Sequence, residues 1–286
     1  MKTSFCTIAF RHKKISLEDM IFIISKLGYD GIEIWGKHLI GSETSLKDLS
    51  NFIAARKLNV SMISPYFNFT DSQKKWIRSI EEAQKNLAFA VELNCPLIRC
   101  FTGEVGSKWA TKKQWENAVL GIREIANSAQ KDGITIAIET HCDTLADTTT
   151  SCIKLLEAVN MKNVGLILDF YNLWEVEPQN PLEILDILYP YSVHIHAKNA
   201  ILSRGKVSPF RYVMDETRVL DSIRLLGNGD LEYTEILREL IKRDYNGYFS
   251  IECFETERNI LWVAEEELRY IHHTMENQEY SQIAGF

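Results

Sequence analysis

The pattern that most constrains this chain is an alternation of short β-branched apolar runs with longer amphipathic ones, kept up along most of its length. The clearest apolar run is Gly133-Ile134-Thr135-Ile136-Ala137-Ile138-Glu139-Thr140-His141. Gly133 follows a helical run ending Gln130-Lys131-Asp132, where a helix C-cap belongs. Ile134 to Ile138 is short, apolar and β-branched, which suits a strand covered on both faces. A carboxylate closes the strand and an imidazole stands two residues on, so the strand period of two puts Glu139 and His141 on one side. An acid and an imidazole at the end of a buried strand suit a site better than a core.

The same reading predicts strands at Ser4–Phe10, Gly31–Trp35, Asn59–Ser64, Leu97–Phe101, Val164–Asp169, Ser192–Lys198 and Gly247–Cys253. Helices are expected from Ser16 to Leu27, over Leu46–Lys57, from Asp71 to Leu93 and from Thr111 to Lys131. Four more are expected at Thr150–Val159, Pro181–Leu188, Tyr233–Arg243 and Leu261–Asn277. Ser16 with Asp19 and Thr111 with Gln114 read as capping boxes, and Pro181 stands in a first helical turn. A long irregular loop is expected from about Asn199 to Asp230, and the polar tail after Asn277 is expected to fray. Eight strands alternating with eight helices, with no linker or composition break, predict a (β/α)8 TIM barrel, one domain over residues 1–286. The competing doubly wound sheet lacks a G-x-G-x-x-G after its first strand. Neither a P-loop nor a G-x-S-x-G occurs.

Of the 286 residues 45% are hydrophobic, enough for a large core, and the formal charge is -7. An acidic chain argues against non-specific binding to nucleic acid or to an anionic membrane. Its apolar runs all fall short of a membrane span. The first ten residues faintly resemble a signal peptide, but they run into Arg11-His12-Lys13-Lys14 and read better as a first strand. Six cysteines without a C-x-x-C pair suit reduced thiols in a cytoplasmic protein. The expected partner is a small molecule, and a homo-oligomer is left open.

In a barrel the active site is built at the carboxyl ends of the strands. Those ends read Glu33, Tyr66, Arg99, Glu139, His141, Asp169, His196, Lys198 and Glu252. Branched apolar side chains normally fill such a place, so this many ionisable groups need a charge to face. One divalent metal held by Glu139, Asp169, His196 and Glu252 would supply it. Three carboxylates and an imidazole favour a hard or borderline cation: manganese first, then magnesium, with cobalt or zinc as alternatives. His194 has the parity of His196 but lies deeper, as a hydrogen-bonded core histidine. Trp35 is a candidate pocket wall. Trp109, Trp115 and Trp174 are expected to pack, and His12, His38, His272 and His273 to face solvent.

Gly31-Ile32-Glu33-Ile34-Trp35-Gly36, Ile138-Glu139-Thr140-His141, Leu168-Asp169-Phe170, His194-Ile195-His196-Ala197-Lys198-Asn199 and Ser250-Ile251-Glu252 carry a family likeness. They resemble the xylose-isomerase-like (sugar phosphate isomerase/epimerase) barrel superfamily along nearly the whole chain. Ser4-Phe5-Cys6-Thr7-Ile8-Ala9-Phe10-Arg11-His12, Ile98-Arg99-Cys100-Phe101-Thr102-Gly103 and Leu168-Asp169-Phe170-Tyr171-Asn172-Leu173-Trp174-Glu175 narrow it. They look most like the bacterial 3-dehydroshikimate dehydratases of petrobactin biosynthesis. The resemblance implies a metal on Glu139, Asp169, His196 and Glu252, and a substrate pocket lined by Glu33, Tyr66, Arg99, His141 and Lys198. Asn172 stands in the substrate region where those enzymes carry a histidine. The implied reaction is dehydration of 3-dehydroshikimate to protocatechuate through a metal-stabilised ene-diolate. In it His141 or a metal-bound glutamate (Glu139 or Glu252) is the base, Lys198 stabilises the ene-diolate and Arg99 clamps the substrate carboxylate. The alternative is a sugar or inositol-type ketose isomerase, epimerase or dehydratase on the same metal site. An abasic-site endonuclease shares the barrel but needs further histidines at early strand ends, where this chain has Glu33 and Tyr66.

Overall fold

The computed structural model describes residues 1–201, 223–254 and 258–283, with side chains to residue 277. The first strands are β1 (Lys2–Cys6), β2 (Gly31–Trp35), β3 (Asn59–Ser64), β4 (Leu97–Cys100) and β5 (Thr135–Glu139). They are followed by β6 (Val164–Asp169), β7 (Ser192–Ala197), β8 (Asn199–Ala200), β9 (Ile223–Arg224) and β10 (Tyr248–Ile251). Eight of these close a barrel in the order β1-β10-β7-β6-β5-β4-β3-β2, and every pairing in it is parallel. Helices occupy the crossovers, as the sequence alternation requires. β8 and β9 form a separate antiparallel pair within the connection from β7 to β10.

Ser16 and Thr111 both cap their helices, the second as a full capping box. Ser16 accepts from the Asp19 N–H at the start of Leu17–Leu27, and Gly28 ends that helix at φ 96°. Thr111 and Gln114 make a full capping box ahead of Lys112–Gln130. That helix lies close to the β3 loop, because Gly121 leaves the ring of Phe69 where a Cβ would sit 2.3 Å away.

Local structure departs from expectation where side chains override the backbone pattern. β1 stops at Cys6 and Thr7–Phe10 turns into a 3-10 helix. The reason is Thr7, whose hydroxyl oxygen accepts the Trp35 N–H at 2.8 Å. Short helices at Gly36–Ile40 and Phe170–Val176 were not expected, and neither is long enough to show helical periodicity. The expected loop after Asn199 begins and ends with β8 and β9, and its residues 202–222 lie outside the described residues. Asn199 ties its two ends together, donating to the carbonyls of Leu226 and Leu231 and accepting from the Leu231 N–H. The last helix, Ile260–Ile283, runs on into the tail expected to fray, whose residues 284–286 lie outside the described residues.

All six cysteines are buried and free. Among the described residues no helix is long and apolar enough to cross a membrane.

Glu267, on the last helix, is buried and accepts the Leu226 N–H on both carboxylate oxygens at 3.1 Å. Burial pushes its carboxyl up from 4.5 to about 8. Between those values the folded chain keeps a proton that the unfolded chain releases, so stability falls as pH rises through this window, by at most about 1.4 kcal/mol per pH unit. Glu267→Gln keeps an acceptor for Leu226 without the charge. It should match wild type in thermal melts at pH 5 and melt a few degrees higher at pH 8, and an equal offset at both values would refute the assignment.

Candidate metal centre and active-site cavity

The strand period of two organises the top of the barrel into layers. Met62, Leu97, Ala137 and Ile167 form a small apolar cluster inside it. Two residues further along the same strands come Ser64, Arg99, Glu139 and Asp169, and His196 and Glu252 bring their side chains to the last two. Another two residues on, Tyr66, Phe101, His141, Lys198 and Phe254 all line one cavity of about 870 Å³, with Ile8 and Trp35. The barrel is thus plugged by apolar groups and floored by charges, with Trp35, Tyr66, Phe101 and Phe254 among the cavity walls.

The floor brings together the four residues expected to bind metal. Glu139, Asp169, His196 and Glu252 are buried and can each offer one ligand atom, all within 4.8 Å of one another. In each case a neighbour holds the other polar atom. Arg99 Nη1 donates to Glu139 Oε2 at 3.0 Å. The Asn172 N–H donates to Asp169 Oδ1 at 3.0 Å, with Asp169 serving as N-cap of Phe170–Val176. Lys198 Nζ donates to Glu252 Oε2 at 2.7 Å. His196 Nε2 lies 3.0 Å from Glu33 Oε2. The atoms left over face each other, with His196 Nδ1 3.5 Å from Glu139 Oε1 and 3.9 Å from Glu252 Oε1. His196 Nδ1 and Asp169 Oδ2 are buried without a hydrogen-bond partner. Asp169 Oδ2 has the Lys198 ammonium at 2.9 Å, whereas His196 Nδ1 has no hydrogen-bond partner, and a buried ligand atom left so is costly unless something occupies the point it faces. The donor set, three carboxylate oxygens and one imidazole nitrogen, fits a divalent cation.

Charge supports the same reading. Glu33, Glu139, Asp169 and Glu252 outnumber Arg99, Lys198 and a protonated His196, so the cluster keeps a net negative charge. Burial opposes ionisation of Glu139, yet Arg99 and His196 outweigh it and hold the carboxyl well below the usual range. Burial pushes Asp169 up, with Lys198 only partly offsetting it. Burial works against a charged His196 as well, but Glu33, Glu252 and Glu139 raise it well above the imidazole range.

Glu33 and Asn172, expected on the substrate side, line no part of the cavity. Glu33 is fully buried beneath it, accepting from Ser64 Oγ, from Ser250 Oγ at 2.7 Å, and facing His194 Nε2 at 3.2 Å. Burial disfavours its charge, but His196 and His194 hold it well below the usual carboxylate range. The inward parity that suggested a pocket residue puts it one layer too deep. Asn172 turns inward as well, because its helix starts at Asp169. Its Nδ2 donates to the Thr140 carbonyl at 2.9 Å and lies 3.5 Å from Glu139 Oε1. Both residues therefore support the ligands.

Arg99 reaches the cavity and directs one donor from each nitrogen at the protein. Nε donates to the Pro65 carbonyl and Nη2 to that of Ser64, in addition to the Glu139 contact. Tyr66 and Phe101, stacked on each other at 5.4 Å, cover the guanidinium at 4.5 and 5.0 Å. His141 Nδ1 lies 2.7 Å from the Cys142 carbonyl, which can only accept, so this nitrogen carries the proton and Nε2 is the basic one.

The single-residue reading missed Ile8, Phe101 and Phe254, although each stands two residues after an inward position and the strand period could have found them. His38 does not face open solvent. It is half-buried against the edge of Trp35 at 5.1 Å, and burial pushes it down to about 4. Trp109, expected to pack, is instead 75% exposed beside Lys108.

Comparison with known proteins agrees with this architecture. The 3-dehydroshikimate dehydratase of Bacillus anthracis is 30% identical over 265 residues, covering 89% of this chain and 91% of that one. An inosose dehydratase of Bacillus thuringiensis (strain Al Hakam) is 22% identical over 258 residues, covering 83% and 82%. The crystal structure of AsbF, described as a probable 3-DHS dehydratase involved in petrobactin synthesis in Bacillus anthracis, superposes with a TM-score of 0.85. It is 29% identical, with 95% of this chain and 99% of that one covered. The profile of the Xylose isomerase-like TIM barrel family matches residues 21–273, so the chain belongs to that family.

Proposed function

We propose that this protein is a metal-dependent dehydratase that converts 3-dehydroshikimate, a cyclic keto-polyol acid, to protocatechuate. The observation that carries the reading is a four-ligand charged floor directly beneath a ring-walled cavity with a basic imidazole at its edge. Near-full-length similarity to an enzyme of that name supports the choice of substrate. Glu139, Asp169, His196 and Glu252 would hold a divalent cation, manganese first, which would supply Lewis-acid chemistry to the substrate carbonyl.

The chain's own groups do the rest. His141 Nε2 takes the proton from the carbon α to the ketone, and the Cys142 carbonyl keeps the ring in the tautomer that can do so. The electron pair of that C–H bond moves toward the carbonyl, where the Lys198 ammonium meets the developing charge. The β C–O bond then breaks, and the hydroxyl leaves as water with the proton that His141 received. A further proton shift makes the ring aromatic. Trp35, Tyr66, Phe101 and Phe254 supply flat walls for a ring that becomes planar as it reacts.

Arg99 takes a different role from the expected carboxylate clamp. Each of its three nitrogens already donates to the protein, so we assign it to positioning Glu139. This favours a second reading to be tested alongside, a cyclic polyol ketone without a carboxylate, for which the inosose dehydratase similarity is a precedent. A carboxylated substrate would have to find its cation among the other cavity residues, where Arg11 and Lys37 stand.

Three measurements test these assignments. Purified protein reconstituted with manganese should produce protocatechuate from 3-dehydroshikimate, followed by absorbance, and chelation should abolish the product. Turnover of inosose but not of 3-dehydroshikimate would select the second reading. Glu139→Gln and Asp169→Asn should each lose both the bound metal, by elemental analysis, and activity; full turnover without metal would sink the proposal. Arg99→Lys should destabilise the protein by about 1–3 kcal/mol for each buried acceptor left unpaired. It should also weaken metal binding and lower kcat more than it raises KM. An unchanged melt with a raised KM would return Arg99 to the role of substrate clamp.

A further inference from the structure

This inference rests on the metal-site reading and concerns what Lys198 does before and after a cation binds. Its side chain is buried, with Nζ 2.7 Å from Glu252 Oε2 and 2.9 Å from Asp169 Oδ2. The two contacts differ in kind. The first is a formed hydrogen bond, whereas Asp169 Oδ2 has the ammonium at ion-pair distance and still makes no hydrogen bond. Asp169 Oδ1 is taken up in capping a helix, which leaves Oδ2 as the oxygen free to turn to a metal. A protein cation and the metal position thus share one oxygen.

The backbone around Lys198 is held firmly. Its N–H donates to Tyr233 Oη at 3.2 Å, and the next residue, Asn199, anchors the loop through buried bonds to Leu226 and Leu231. Movement is therefore left to the four-carbon stem, which runs to an ammonium 5.2 Å from the ring of Phe254 on the cavity wall.

We propose that Lys198 is a displaceable counter-ion of the metal centre. It partly neutralises Asp169 and Glu252 until a divalent cation takes Asp169 Oδ2. It then keeps Glu252 Oε2 and turns from Asp169 toward the cavity, where the substrate oxygens lie. Loading the site therefore sets the ammonium in its working position, and a metal-free protein keeps it against the floor. Two like charges competing for one carboxylate oppose each other, so removing the ammonium strengthens metal binding and weakens the metal-free fold. A lysine that only props Glu252 predicts the opposite, since its loss would disorder a ligand.

Calorimetric titration of chelator-treated protein with Mn2+ distinguishes the two. Lys198→Met, which keeps an unbranched stem, should bind Mn2+ about threefold to thirtyfold tighter than wild type. Its chelated form should melt several degrees lower, while Lys198→Arg should stay near wild type in both. Unchanged or weaker Mn2+ binding by Lys198→Met overturns the proposal. If that variant does not fold, the crystal structure of wild type soaked in Mn2+ decides. Nζ beyond about 3.5 Å from Asp169 Oδ2 supports displacement, and Nζ still in contact overturns it. Both readouts are taken without substrate, so a wrong substrate assignment leaves them intact. Failure of wild type to take up Mn2+ would overturn this proposal and the metal-site reading together.

Discussion

Each ligand of the candidate metal centre has two polar atoms, and the fold uses one of them to hold the other in place. Arg99 grips Glu139, a helix start grips Asp169, Lys198 grips Glu252, and Glu33 grips His196. This division is what allows so many charges inside a barrel. An isolated buried carboxylate would take up a proton or pull in water, whereas one with a fixed donor on one oxygen keeps its charge and its direction. The residues beneath then become intelligible. Glu33 is satisfied by two serines and two histidines, and those groups occupy places that an ordinary barrel would fill with branched apolar side chains.

The cavity above depends on the same arrangement. Tyr66 and Phe101 lie over the guanidinium that positions Glu139, and Phe254 lies beside the ammonium that holds Glu252. The walls thus touch the groups that set the floor, which couples the shape of the cavity to the geometry of the ligands. A substrate pressing on these rings presses on the metal site too. Asn172 lines no part of the cavity, and Arg99, which does line it, also donates to Glu139.

Much of the architecture was legible in the residues. Glycine, β-branched runs and capping side chains are local signals, and they placed the barrel strands and most of the helices that connect them. Parity along each strand put Glu139, Asp169, His196 and Glu252 on the inner face, where they meet. The same parity could have found Phe101 and Phe254, which continue the inward row past the strand ends. It could not separate Glu33, which points inward but sits a layer below the ligands. Strand period gives a side chain its face and not its depth, and depth in a closed barrel follows from the stagger between strands.

What the sequence determined by itself was therefore the barrel and the four residues, Glu139, Asp169, His196 and Glu252, that it brings to one point, since these follow from periodicity and from polar residues at the ends of apolar strands. Only the tertiary structure decided what each polar atom does. Whether Arg99 faces a substrate or Glu139, whether Asn172 walls the cavity or supports a ligand, and which nitrogen of His141 is basic depend on acceptors supplied by other parts of the chain. Thr7 stopping the first strand on the Trp35 N–H, and Glu267 anchoring Leu226 from the last helix, are of the same kind. Local propensity acts over a few residues. A hydrogen bond between residues far apart in the chain exists only once the barrel has closed and set its strands in register.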